Sequence, residues 1–194
     1  LAQSPQFYKQ MAMASGFEKI FMMGPVFRAE LSFTTRHMTE FTGWDFEFAY
    51  IKSHHDIMDR EEAMLKSGFA KLKEAGLVEE GIKVPMARIS LAEAKEKLKA
   101  VGITSEKAGD LSPDEERGIC KIIKEETGSD FVFIYGYPTR KKPFYVYPDP
   151  EEPEYNHGMD LICRGVEWLS GGRRIHNYEQ LQEHVKIWGL DPNK

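Results

Sequence analysis

Residues 20–30 (IFMMGPVFRAE) and 40–50 (EFTGWDFEFAY) frame a polar loop, residues 31–39, rich in Thr and Ser. The first run is apolar enough for a strand, with Pro25 marking an edge position or a bulge. The second alternates with the two-residue period of a half-buried strand. Two strands joined by a long loop predict an antiparallel pair. Parity then sorts the side chains: Arg28 and Glu30 share one face of the first strand, and Phe41, Asp45 and Glu47 share one face of the second. Trp44, Phe46, Phe48 and Tyr50 fall on the opposite face and are expected to form a core layer.

Upstream, residues 6–15 read as a short helix stopped by Gly16. Downstream, Ser53-His54-His55-Asp56 opens a helix with Ser53 as N-cap and an acid three positions on. Ile57, Met58, Met64, Leu65, Phe69 and Leu72 give that helix an apolar side, and Gly76 ends it. Ser90-Leu91-Ala92-Glu93 predicts a second capped helix, and Ser112-Pro113-Asp114-Glu115 a third, ending at Gly128. Residues 76–128 are therefore expected to form a mostly helical insertion. Strands are predicted at 130–136, 144–147, 159–164 and 166–170, and a last helix from Asn177 to Trp188. Strands at both ends with helices between and after them predict an α+β fold on a mainly antiparallel sheet.

Composition narrows the function classes. In 194 residues, 41% are hydrophobic and 12% aromatic, too many for a disordered chain. No apolar run reaches the roughly 18 residues of a membrane span. The net charge of −5, from 26 basic and 31 acidic side chains, argues against non-specific coating of nucleic acid but leaves room for RNA on a local patch. Cys120 and Cys163 are too few for a disulfide scaffold and suit a reduced cytosolic setting, packed as small hydrophobes. The start at Leu1 is neither an initiator Met nor a signal peptide, and it predicts a segment of something longer.

Two clusters carry chemistry. In the first, Arg28, Arg36 and His37 surround an aromatic plate, Phe41, a combination that suits a nucleotide: guanidinium forks hold phosphate and the ring stacks on a base. From parity alone a solvated hairpin with incidental charges is the favoured reading, because charged strand faces are common. In the second, Asp160 and Glu167 flank a turn at Arg164-Gly165, with Ser170 nearby. Paired carboxylates and a hydroxyl form a hard-oxygen set for Mg2+ on phosphates. Gly171-Gly172 would let backbone approach a ligand, and Arg174 follows. Ordinary strand acids beside a Gly-Gly turn are the alternative.

A resemblance shifts this balance. Gln3-Ser4-Pro5-Gln6-Phe7-Tyr8-Lys9-Gln10, Phe27-Arg28-Ala29-Glu30 and Thr35-Arg36-His37-Met38-Thr39-Glu40-Phe41 together resemble the catalytic domain of the class II aspartyl-tRNA synthetases, archaeal and eukaryotic type. Pro143-Phe144-Tyr145, Asp160, Arg164-Gly165-Val166-Glu167 and Ser170-Gly171-Gly172-Arg173-Arg174-Ile175-His176 continue the similarity in order. It spans nearly the whole chain. The Gln-Ser-Pro-Gln stretch followed by Lys9 favours the aspartate enzymes over their asparagine and lysine relatives, and the short spacing from Glu40 to Glu167 leaves no room for the large bacterial insertion. Gly172-Arg173 stands where Ala-Gln is usual, and Leu31 and Phe33 replace polar residues.

The resemblance implies activation of L-aspartate by ATP to an aspartyl-adenylate, then transfer to the 3'-end of a tRNA. It implies Arg28 on the α-phosphate and attacking carboxylate, Arg36 and His37 on the β/γ-phosphates, Phe41 stacked on adenine, and Glu30 on its edge or on the acceptor end. It implies Asp160, Glu167 and Ser170 around Mg2+, with Glu167 also touching ATP. Gln6, Lys9, Arg28, Asp45, Ser170 and Arg174 would surround the aspartate. Lys9 and Arg174 put positive charge where the substrate side chain ends, so asparagine would leave cations unpaired. Arg28 and Glu167 are the expected catalytic residues.

It further implies a cytoplasmic enzyme, no membrane association, and a homodimer at full length. Residues 1–194 would be a partial catalytic domain lacking the anticodon-binding barrel, the dimer motif and the C-terminal Gly-rich segment, with impaired or no activity alone. Two alternatives stand beside this: a paralogue like asparagine synthetase A that delivers the adenylate to ammonia, and a non-catalytic binding module. Elsewhere, His54 and His55 are expected to be exposed, His157 and His184 to lack partners at ligand spacing, Arg140-Lys141-Lys142 to be solvated, and Met11, Met13, Met22 and Met23 to fill core.

Overall fold

The computed structural model describes residues 1–30 and 38–193. The chain divides into two compact units, Leu1–Ile51 and Lys52–Lys194.

In the first unit, helix α1 (Gln6–Ala14) precedes strands β1 (Lys19–Phe27) and β2 (Glu40–Phe48). The strands pair antiparallel from Lys19 opposite Phe48 to Phe27 opposite Glu40, and Pro25 sits in register opposite Thr42. The antiparallel pair expected from residues 20–50 is therefore present, with Pro25 tolerated in an edge strand. Side chains of α1 bond Asp45 and Glu47, so the helix covers the face that bears the carboxylates. The other face departs from expectation. Trp44 is 53% exposed, opposite Met23 at 73%, and Tyr50 lies past the strand end with a positive φ. Met11 is exposed as well. Phe46 and Phe48 of the same expected layer are half-buried and stack on each other, but a two-stranded sheet with one helix on one side leaves Trp44 without cover.

The second unit orders α2 (His54–Glu74), β3 (Ala87–Ser90), α3 (Leu91–Ala100), α4 (Pro113–Thr127), β4 (Phe131–Tyr135), β5 (Gly158–Cys163), β6 (Val166–Gly172) and α5 (Tyr178–Ile187). Helices α2, α3 and α4 each begin in a capping box: Ser53 with Asp56, Ser90 with Glu93, Ser112 with Glu115. Each cap satisfies otherwise orphaned amides and contributes about 1 kcal/mol. Gly128 closes α4 in the left-handed conformation that glycine adopts without strain.

The sheet runs β3-β4-β5-β6, parallel between β3 and β4 and antiparallel elsewhere. The fold is α+β with a mainly antiparallel sheet, as expected. Residues 76–128 do carry α3 and α4, but they also contain β3, which the sequence reading missed. Four half-buried residues including Arg88 are too short a run to show alternation. Through β3 this segment joins the main sheet, and Leu91, Leu98, Ile119 and Ile123 pack on Val132, Ile134 and Ile162 in a single core. The strand predicted at 144–147 is absent. Prolines at 143 and 148 confine the stretch to an isolated bridge, Val146 with Arg174. Among the described residues no helix is long and apolar enough to cross a membrane.

Candidate active site

In the first unit the helical three-residue spacing of Gln6 and Lys9 meets the two-residue spacing of Asp45 and Glu47. Lys9, only 3% exposed, places Nζ 3.3 Å from Asp45 Oδ1 and 3.6 Å from Glu47 Oε2. Gln6 Nε2 donates to Glu47 Oε2 at 2.7 Å. One cation between two acids can receive an amino acid from both ends: the acids accept an ammonium, and Lys9 offers its charge to a carboxylate. Glu47 is the member of this set that the sequence reading left without a role, although parity had placed it on the right face.

At the end of β1, the Arg28 guanidinium lies 5.3 Å from the Phe41 ring centroid, and its backbone N–H donates to Thr39 O at 2.9 Å. Arg28 is exposed and Phe41 and Glu30 are half-buried. The pairing of guanidinium and ring expected from parity is present. Arg36 and His37 lie outside the described residues.

In the second unit, Arg164 and Gly165 both have positive φ, the signature of a two-residue hairpin turn between β5 and β6. Asp160 pairs with Ser170, but the register then slips so that Glu167 faces Ile162 and Trp168 is passed over. Glu167 and Ser170 are three residues apart, and regular alternation would put them on opposite faces. The slip puts both on the face of Asp160. Trp168 meanwhile packs against Phe69 and Phe131.

Asp160 is 5% exposed and densely bonded. Ser170 Oγ donates to Oδ1 at 2.6 Å, and Lys142 Nζ donates to Oδ1 and Oδ2 at 2.8 and 2.6 Å. Lys142 also sits 4.0 Å over the Tyr137 ring. Burial, then the charge and hydrogen bond of Asp160, push the Tyr137 hydroxyl far above its usual pKa. Lys142 is thus no part of a solvated basic run. Arg140 is not free either: it stacks on Trp188 and donates to Ile187 O. Glu167 is exposed as a residue, yet lost hydration at its carboxyl and the nearby Asp160 raise its pKa above the glutamate norm, with Lys142 opposing.

Two carboxylates and a hydroxyl on one sheet face fit a hard cation. Among the described residues no group of three or more His, Cys, Asp or Glu could hold a metal ion. A magnesium ion here would depend on phosphate oxygens to complete its shell, its usual habit.

Arg174 stacks 4.3 Å over the Tyr145 ring. The expected role of Gly171-Gly172 changes. A Cβ on Gly172 would lie 2.8 Å from the backbone oxygen of His157, and one on Gly171 would lie 3.0 Å from Met159 Cε. Backbone fills that space at Gly172, so close strand packing accounts for it; at Gly171 the neighbour is only the end of a flexible side chain.

Three buried groups escaped the sequence reading. Glu61 is 2% exposed with Oε2 unpartnered, and burial followed by the charge of Asp160 raises its pKa to about 8. It lies four residues after Ile57 and three after Met58, so the helical period already marked its side as inward. His54 is buried, not exposed, 5.1 Å from His157 between ring centroids; burial and the neighbouring imidazoles lower its pKa to about 3. His157 is buried too and has a partner, Asp149 at 3.0 Å. Cys120 and Cys163 are free and buried, as expected.

The family model for tRNA synthetases class II (D, K and N) matches residues 1–194. The aspartate–tRNA(Asp/Asn) ligase of Aeropyrum pernix is 39% identical over 98% of this chain and 46% of its own length. An aspartyl-tRNA synthetase structure from Entamoeba histolytica superposes with TM-score 0.90 at 36% identity, covering 100% of this chain and 42% of that one. The asparaginyl-tRNA synthetase of Pyrococcus horikoshii in complex with asparaginyl-adenylate superposes with TM-score 0.84 at 32% identity, covering 100% and 46%. The chain spans less than half the length of these relatives. Its fold, and a match that runs from the first residue to the last, make it a member of the class II tRNA synthetases of the D, K and N group.

Proposed function

We propose that this chain is part of the catalytic domain of an aspartate–tRNA ligase. The observation that carries the reading is the buried Lys9 held between Asp45 and Glu47 with Gln6 alongside. A site for aspartate needs acceptors for the ammonium and a fixed cation for the side-chain carboxylate. An asparagine amide would leave that cation without a counter-charge, at a penalty of several kcal/mol in a desolvated site (about 2–5). The names of the relatives agree, while the asparaginyl neighbour shows that the fold alone is shared by both specificities.

The first step joins the α-carboxylate of aspartate to the α-phosphorus of ATP and expels pyrophosphate. The carboxylate attacks already ionised, so no general base is required; alignment and charge neutralisation are. Arg28 would grip the α-phosphate and the attacking carboxylate, Phe41 would stack on adenine, and Glu30 would read its edge. Arg36 and His37 would reach the outer phosphates. Lys9, Gln6, Asp45 and Arg174 would hold the amino acid. Asp160, Glu167 and Ser170 would hold Mg2+, which when bound offsets phosphate charge. The second step passes the aspartyl group to the 3'-end of a tRNA. A homodimer at full length and a cytoplasmic site belong to the same reading.

ATP–pyrophosphate exchange tests it. Exchange that depends on aspartate and not on asparagine supports the assignment; dependence on asparagine overturns it. Adding tRNA or ammonia to the formed adenylate then separates a ligase from an amide-forming paralogue.

A further inference from the structure

Lys142 reaches Asp160 through a passage formed by a missing side chain. A Cβ on Gly158 would lie 3.2 Å from Lys142 Cγ, 3.5 Å from its Cδ and 2.7 Å from Asn156 Oδ1. At the end of that stem Nζ bonds both Asp160 oxygens, with the Tyr137 ring beneath it. The two side chains are 16% and 6% exposed, so the pair is largely withdrawn from water. A carboxylate presents about four lone-pair positions. Lys142 uses two and Ser170 one. Both positions on Oδ1 are filled, by Lys142 and Ser170, so a divalent cation that takes Oδ1, or both oxygens together, must displace a donor. The ammonium is the donor whose charge opposes the metal.

We propose that Lys142 is the resident counter-ion of Asp160, a positioning residue that competes with the divalent cation for this carboxylate and gives it up when the metal binds. This rests on the reading of Asp160 and Glu167 as magnesium ligands. Lys142 keeps a buried acid compensated while metal is absent, and it sets how tightly metal is held. Without such a partner, two acids on one sheet face would carry uncompensated charge into a partly dry site.

Mn2+ titrated into the 194-residue chain, followed by electron paramagnetic resonance, tests this without any turnover. Lys142→Met should bind Mn2+ at least about tenfold more tightly than the wild type, with Lys142→Gln in between. Adding Glu167→Gln to Lys142→Met should remove the gain. If Glu167→Gln weakens binding in the wild type but Lys142→Met does not tighten it, the competition is refuted and the magnesium reading stands. If Glu167→Gln changes nothing in any background, the magnesium reading fails and the inference falls with it. A readout on the wild type covers misfolding of the variants: Mn2+ should increase acylation of the Lys142 amine, measured by mass spectrometry. Unchanged labelling at saturating Mn2+ overturns the proposal.

Discussion

The ammonium of Lys9 lies 3.3 Å from Asp45 Oδ1, and the two side chains differ in access: Lys9 is 4% exposed and Asp45 41%. The cation is sealed inside the first unit and its acid is left open to solvent. A substrate carboxylate competing for this cation would gain from the desolvation already in place. Lys9→Met should therefore lower aspartate-dependent exchange by about a hundredfold or more, with ATP affinity nearly unchanged. Arg174→Leu should act in the same direction. Exchange kinetics beside an ATP titration check both; an equal loss of ATP affinity contradicts the role.

Glu61 should make the fold less stable as pH rises. Its pKa stands at about 8 when folded, against 4.5 as the ordinary value. Between those values the folded chain keeps a proton that the unfolded chain releases. Stability then falls with rising pH by up to about 1.4 kcal/mol per unit. Glu61→Gln keeps the shape and removes the titration. It should match the wild type near pH 5 and exceed it by a few kcal/mol (about 2–4) at pH 8, read from urea midpoints at the two pH values. Parallel pH profiles for both proteins would contradict the burial of a carboxyl whose Oε2 has no partner.

Glu115 should behave in the opposite way. It is 1% exposed and accepts from Lys95 Nζ at 2.7 Å, Ser105 Oγ at 2.6 Å and Ser112 N at 2.7 Å. Burial alone would raise its pKa, but these donors outweigh that and hold it at about 2. Its stabilisation is complete above the ordinary value of 4.5 and is lost as pH falls toward 2. Glu115→Ala removes a buried acid, strands Lys95 and breaks the α4 cap, so a loss of about 3 kcal/mol at pH 7 is expected. Denaturation at pH 7 and pH 3 checks this: the gap between the two proteins should narrow in acid.

Gly118 lies inside α4 where α3 crosses. A Cβ there would stand 2.7 Å from both Ile103 Cδ1 and Leu98 Cδ2. Alanine gains about 1 kcal/mol of helix propensity but overpacks a filled core at about 1–3 kcal/mol. Gly118→Ala should be destabilising by about 1 kcal/mol. A raised melting temperature would show that the two aliphatic side chains yield freely.

Local chemistry explains what could be read in advance. The capping boxes at Ser53, Ser90 and Ser112 each span four residues, and each appears as expected. The same holds for the parity that gathers Phe41, Asp45 and Glu47, and for the turn at Arg164-Gly165. The failures have distant causes. Trp44 was assigned to a core that α1 covers only on the opposite face. Lys142 looked solvated because its partner lies 18 residues downstream on another element. His54 looked exposed because nothing near it in sequence announces His157.

By itself the sequence determined the caps, the strand pair, the α+β class and the ordered residues by which the family is recognised, because hydrogen bonds and periodicity within a few residues decide those features. Only the tertiary structure decided that Glu167 shares a face with Asp160 and Ser170, that Lys142 occupies the acid, and that Glu61 is buried with its Oε2 unpartnered. A register slip of one residue reverses which face a side chain takes, and burial depends on elements that meet only after folding.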